Sequence, residues 1–131
     1  MGSDAAELAA LADAFDDPVH VGCCYDFGHA ELVNPHHRQN LNLLGHRLHC
    51  VHVQDNHGKA DEHLMPFYGT IDWVDAMAGL ADIGYTGDLT FEIQEFGRHL
   101  PKELKYLVAE ESLVIGRHLV GLYEKALGQK G

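Results

Sequence analysis

The chain has 131 residues, 46% of them hydrophobic and 22% charged, the balance of a globular protein with a core and not of a disordered segment. Its formal net charge of −11, with only 9 Lys and Arg scattered along it, opposes a phosphate-backbone footprint, so nucleic acid is not an expected partner. Every apolar stretch is broken well short of the roughly 20 residues a membrane-crossing helix needs, so no membrane partner is expected either.

The first residues, MGSDAAEL, lack the basic and apolar regions of a secretion signal, and a cytoplasmic location is the expectation. The three cysteines form no CxxC pair and suggest neither a disulfide framework nor a zinc ribbon. Eleven histidines raise the expectation of metal chemistry.

Leu8, Leu11, Ala12 and Phe15 have helical spacing, Asp4 and Glu7 are placed like a capping box, and Asp17-Pro18 ends the segment. Val19 to Tyr25 reads as a strand. Asn34-Pro35 then opens a helix that closes near Gly45. Leu48 to Gln54 is the next strand, followed by a polar loop from Asp55 to Gly69. Thr70 opens a helix carrying Trp73, Val74, Met77, Leu80 and Ala81 on one side, and Gly84 closes it. Asp88 to Ile93 is the third strand, and a long helix follows Pro101. No repeat or linker divides the chain, so residues 1–131 read as one unit.

Strands alternating with helices predict an α/β fold with a parallel sheet, either open and doubly wound or closed into a barrel. Side-chain parity separates the two. Val21, Cys23 and Tyr25 share one face and Cys24 and Asp26 the other; Val51 and Val53 oppose His52 and Gln54; Leu89 and Phe91 oppose Thr90 and Glu92. A doubly wound sheet is apolar on both faces, whereas a barrel carries polar groups near its inner mouth. The expectation is a partial TIM (β/α)8 barrel comprising the last three strand-helix units, against the eight units and about 250 residues of a full one.

On that reading Asp26, His52 and Glu92 converge at the carboxyl rim, where carboxylates and an imidazole make a mixed oxygen and nitrogen site for Mn, Zn, Co or Mg. Singly, Asp26 reads more simply as a cap and His52 as a hydrogen-bonded strand residue. Glu92 differs, because an acid inside an apolar strand needs a partner. His36, His37, His46, His49, His57, His99 and His118 read as ordinary, with His49 on the outward parity. Trp73 reads as packing, and Asp55 and Glu95 as residues that orient ligands from behind.

The segments Tyr25-Asp26-Phe27-Gly28-His29-Ala30, His52-Val53-Gln54-Asp55-Asn56, Asp61-Glu62-His63-Leu64, Gly69-Thr70-Ile71-Asp72-Trp73, Gly84-Tyr85-Thr86-Gly87 and Phe91-Glu92-Ile93 resemble, in order and spacing, the C-terminal half of the xylose-isomerase-like sugar phosphate isomerase/epimerase family. That family shares its barrel with endonuclease-IV-type enzymes. The resemblance implies metal ligation by Asp26, His52 and Glu92, a substrate-binding His29, and Glu92 as one of two catalytic carboxylates. It also implies a sugar or polyol substrate, held on the metal and isomerised or epimerised through an enediolate. The family's other catalytic glutamate lies on the strand before that of Asp26, and this sequence shows no counterpart.

Two further readings stand beside this one. Asp61 and His63 form an Asp-x-His pair that, with His29, binds an additional metal in endonuclease-IV-type enzymes, which favours an abasic-site nuclease; the acidic charge opposes it. A three-stranded sheet would also expose its edges and inner face. That predicts a homo-oligomer or a partner chain supplying the rest of the barrel, and the isolated chain would then be a non-catalytic fragment or a subunit active only after assembly.

Overall fold

A computed structural model describes residues 4–129. Three parallel strands, β1 (Cys23–Asp26), β2 (Leu48–Val53) and β3 (Leu89–Phe91), lie in the order β1-β2-β3. α1 (Ala5–Ala14) precedes β1, α2 (Phe27–Val33) and α3 (His37–Leu44) join β1 to β2, α4 (Trp73–Asp82) joins β2 to β3, and α5 (Tyr106–Gly128) follows β3. Sequential parallel strands with helical crossovers are three units of a β/α barrel. None of the helices is long and apolar enough to cross a membrane, among the described residues.

The core lies wholly on the outward side of the sheet. Tyr25, Val51 and Val53 are buried against Phe27, Leu41, Leu44, Trp73, Met77 and Leu80, while α1, α3, α4 and α5 pack in succession. On the other side Cys24, Cys50 and Thr90 are exposed. One covered and one open face is the inside-outside division of a barrel wall, so the doubly wound arrangement is excluded.

Most helix signals act as read. Asp4 accepts the Glu7 backbone hydrogen at 2.9 Å and caps α1. Gly84, at φ +66, takes the left-handed conformation that lets the chain leave α4. Asp72, not Thr70, caps α4, accepting from Val74 and Asp75 at 3.0 Å each; Thr70 instead bonds Glu31.

Three boundaries differ from expectation. β1 begins at Cys23, because residues 18–20 turn under an Asp17 carboxylate that accepts from His20 N, and this leaves Val19 76% exposed. β3 stops at Phe91, so Glu92 sits just past its strand, with its backbone N still bonded to Val53 O. His49 is exposed instead of facing the core, because the β1–β2 register shifts there: Cys23 pairs with Leu48 but Cys24 with Cys50.

His37 also departs from its ordinary reading. It is 1% exposed, with Nδ1 2.9 Å from the Tyr25 hydroxyl and Nε2 2.9 Å from Glu31, while Asn40 donates to the same hydroxyl. A neutral ring satisfies this network: Nε2 donates to the carboxylate and Nδ1 accepts from tyrosine. Burial lowers its pKa, against the opposing pull of Glu31.

A candidate metal centre on the inner face

Asp26 closes β1 and also caps α2. Its Oδ1 accepts from His29 N at 2.9 Å, which leaves Oδ2 aimed across the sheet, 3.4 Å from Gln54 Nε2 and 3.6 Å from His52 Nδ1. Asp26 therefore caps α2 with one oxygen and turns the other toward Gln54 and His52. His52 is the register partner of Asp26 on β2. Its Nδ1 lies 2.8 Å from Glu92 Oε2. One donor atom each from Asp26, His52 and Glu92 fall within 4.8 Å of one another.

The chemistry of this cluster suits a cation. Glu92 Oε2 is buried yet accepts no hydrogen bond among the described residues, since the close His52 nitrogen is not aligned to donate to it. Burial raises the Asp26 pKa, outweighing the His29 N–H that opposes it. Burial also pushes Glu92 upward, but Asp26, His52 and His63 more than reverse this and hold it below the usual range. Two converging carboxylates of unequal proton affinity, one with an orphaned oxygen, form a donor set that a divalent ion satisfies.

His29, Asp61 and His63 form a second cluster of the same tightness. Asp61 Oδ2 lies 3.3 Å from His29 Nε2 and 3.1 Å from His63 Nε2. His63 Nδ1 faces the Glu92 carbonyl oxygen at 2.9 Å, and a carbonyl only accepts, so Nδ1 carries the hydrogen. In a neutral ring the bare Nε2 then faces a carboxylate, which calls for a cation between them, either a proton or a metal. Burial lowers the His63 pKa, but the Glu92 carbonyl and the Asp61 charge prevail and raise it. Asp61 is held low: burial raises it, and the hydrogen bonds from Gln54 and His29 with the neighbouring histidine charges overcome that.

Gln54, inward by parity but absent from the sequence-derived site, joins the clusters. It is 0% exposed, and Nε2 approaches Asp26 Oδ2 at 3.4 Å and Asp61 Oδ1 at 3.3 Å. Its Oε1 has no hydrogen-bond partner among the described residues. Gly28 makes the room: a Cβ there would run into the Gln54 amide. Its inward position after His52 was the only available signal.

Asp55 and Glu95 do not orient the candidate ligands. Asp55 is fully buried and accepts from Asn56, Phe67 and Ile71 backbone nitrogens and from Trp73 Nε1 at 2.8 Å, organising the loop before α4. Glu95 pairs with Arg98 on the surface. Trp73 is packing, as expected, against Phe27 and Phe67.

Residues 1–111 match the xylose isomerase-like TIM barrel family. The chain belongs to that family. It is 36% identical over 102 residues to an uncharacterized protein of Sinorhizobium fredii, covering 78% of this chain and 30% of that one. Over 78 residues it is 35% identical to an uncharacterized Methanocaldococcus jannaschii protein, covering 58% of this chain and 27% of the relative. A solved D-tagatose 3-epimerase-like protein superposes with a TM-score of 0.55 and 26% identity, over 83% of this chain and 36% of its own. The chain thus spans about a third of the length of the proteins it matches.

Proposed function

We propose that this chain carries one side of a divalent-metal centre that isomerises or epimerises a sugar or sugar phosphate through an enediolate. The observation that carries the reading is the convergence of Asp26, His52 and Glu92 at the carboxyl ends of three adjacent parallel strands, with a buried Glu92 oxygen left without a hydrogen bond. Membership of a xylose isomerase-like family and the likeness to a D-tagatose 3-epimerase-like protein support it.

When bound, a divalent ion such as Mn, Zn, Co or Mg supplies Lewis acidity toward a substrate carbonyl and its neighbouring hydroxyl. Asp26, His52 and Glu92 would hold that ion. Glu92, held ionised, would take the proton from the carbon beside the carbonyl and return it. His29, which belongs to the second cluster and has its Nδ1 3.5 Å from Asp26 Oδ2, would bond a substrate hydroxyl. A second acid or base on the opposite side of the substrate carbon would come from another part of the barrel. A second copy or a partner chain would supply it, pairing with the β1 and β3 edges of this sheet.

The test is deuterium exchange. The chain is incubated in D2O with Mn2+ and a panel of ketohexoses, and the carbon next to the carbonyl is followed by NMR. Metal-dependent exchange that disappears in Glu92→Gln supports the reading. A wild-type chain in a barrel completed by its second copy or partner that binds Mn2+ and exchanges no carbon-bound proton with any sugar counts decisively against it.

The His29, Asp61 and His63 cluster favours a second reading, an abasic-site nuclease of the endonuclease-IV type. The net charge of −11 argues against it. Nicking of an abasic duplex at low salt with zinc supplied would revive this reading, and its absence removes it.

A further inference from the structure

Asn56 belongs to neither cluster, yet it joins the parts of the chain that carry them. Its side chain is buried at 0% exposure, where an amide needs its bonds made. Nδ2 donates to the Gly28 carbonyl oxygen at 2.8 Å, and Oδ1 accepts from Gly58 N at 2.8 Å. The first bond ends in the opening turn of α2, and the second in the loop that runs on to Asp61 and His63. That turn of α2 serves both clusters. Asp26 caps it through His29 N at 2.9 Å and gives a donor to the first cluster, while the His29 ring joins the second, perpendicular to the His63 ring at a centroid distance of 6.0 Å. Another tie from the same loop to α2, Thr70 Oγ1 to Glu31 at 3.1 Å, is made about one turn further along the helix and leaves the opening turn to Asn56.

From these bonds we infer that Asn56 is a positioning residue: it holds the first turn of α2 against the loop after β2, and so sets Asp26 in one cluster and His29 against Asp61 and His63 in the other. Every bond in the argument runs within the chain and is independent of what completes the barrel. The placement of the two rings stands on this geometry alone, whereas its consequence for a cation rests on the proposed metal centre.

The experiment compares the 131-residue chain with Asn56→Asp and Asn56→Ala. The aspartate keeps the shape and the acceptor that Gly58 N uses, but an ionised carboxylate has no hydrogen for Gly28 O. Its added negative charge by itself tightens a cation nearby, so weaker binding in this variant reports position and not charge. NMR follows the nuclear Overhauser contact between the His29 and His63 rings in metal-free protein, calorimetry gives the Mn2+ affinity, and urea unfolding gives the stability. The expected result is loss of the ring contact in both variants while they are folded, with Mn2+ bound about 10–100-fold more weakly. A residue that only stabilises the fold lowers the urea midpoint and leaves the ring contact and the Mn2+ affinity of the folded chain at their wild-type values; that result overturns the inference. Should neither variant fold, the wild-type chain decides. The Asn56 side-chain hydrogen bonded to Gly28 O then exchanges with solvent as slowly as the backbone amides of α2, and exchange at the rate of a free side-chain amide overturns the inference. A wild-type chain that shows the ring contact and binds no Mn2+ removes the metal centre and leaves the ring contact to decide on Asn56.

Discussion

His63 donates its Nδ1 hydrogen to the backbone carbonyl of Glu92 at 2.9 Å, which fastens the loop between β2 and α4 to the residue that follows β3. It does so from φ 49, a left-handed conformation that non-glycine residues adopt sparingly. Asparagine tolerates the same backbone. His63→Asn should therefore keep the turn and lose the tie, costing about 1 kcal/mol in urea unfolding. Amide hydrogen exchange should quicken across residues 55–69. Unchanged exchange there would mean that the loop is held by its other bonds, those of Asp55 and Asn56 among them, without the His63 tie.

Asp55 is the stronger fastening. Its fully buried carboxylate accepts three backbone N–H groups and the indole N–H of Trp73, the chain's one tryptophan. Asp55→Asn would offer an amide NH2 to donors that need an acceptor, so a loss of about 3 kcal/mol or more is expected. Trp73 emission should shift to the red at denaturant concentrations where the wild-type chain is still folded. A variant as stable as wild type would refute the assigned role.

The period of two makes the candidate site legible in the sequence. It set Asp26, His52 and Glu92 on one face, and the burial of Tyr25, Val51 and Val53 on the other follows the same alternation. What stayed hidden was set by contacts distant in sequence or by small local exceptions. The seven residues of α2 include Gly28 in the first turn, and its cap is a residue read chiefly as a ligand, so no helix signal stood out. His37 reads as ordinary because nothing local announces Tyr25, twelve residues earlier, as its partner. The displacement of His49 comes from one irregular pairing step, which no hydrophobic pattern encodes.

The buried His37 gives a pH dependence with a definite sign. Its folded pKa lies below the unfolded value of about 6.5, so the unfolded chain binds more protons between the two. Its stabilising contribution is complete above the unfolded pKa and is lost as pH falls through the window toward the folded one. The neighbours that face it are Glu31, Asp75 and Asp55, together with the Tyr25 hydroxyl. His63, with a raised pKa, acts in the opposite direction, but it is common to both proteins if wild type is compared with His37→Gln. The stability gap between those two should narrow as pH drops below about 6.5. A constant gap down to the carboxylate range would show that His37 does not titrate with unfolding.

Gln54 and Gly28 provide the sharpest test of how the inner face is organised. The Gln54 amide nitrogen reaches Asp26 and Asp61 together, so it aims an oxygen of each cluster, and Gly28 exists at that spot because a methyl group would displace the amide. If Asp26 holds a metal, Gln54→Ala should weaken Mn2+ binding about 10–100-fold, the usual effect of losing a group that orients a ligand. Gly28→Ala should act through the same displacement and weaken binding comparably. The two effects share one cause, so the double variant should bind no worse than the weaker single one, and Gly28→Ala should destabilise the fold less once the glutamine has been removed. Calorimetric titration with Mn2+ and urea unfolding of the four proteins give both cycles. Additive losses in affinity would mean that Gly28 and Gln54 act on the site by independent routes, and that Gly28 does not serve by making room for the amide.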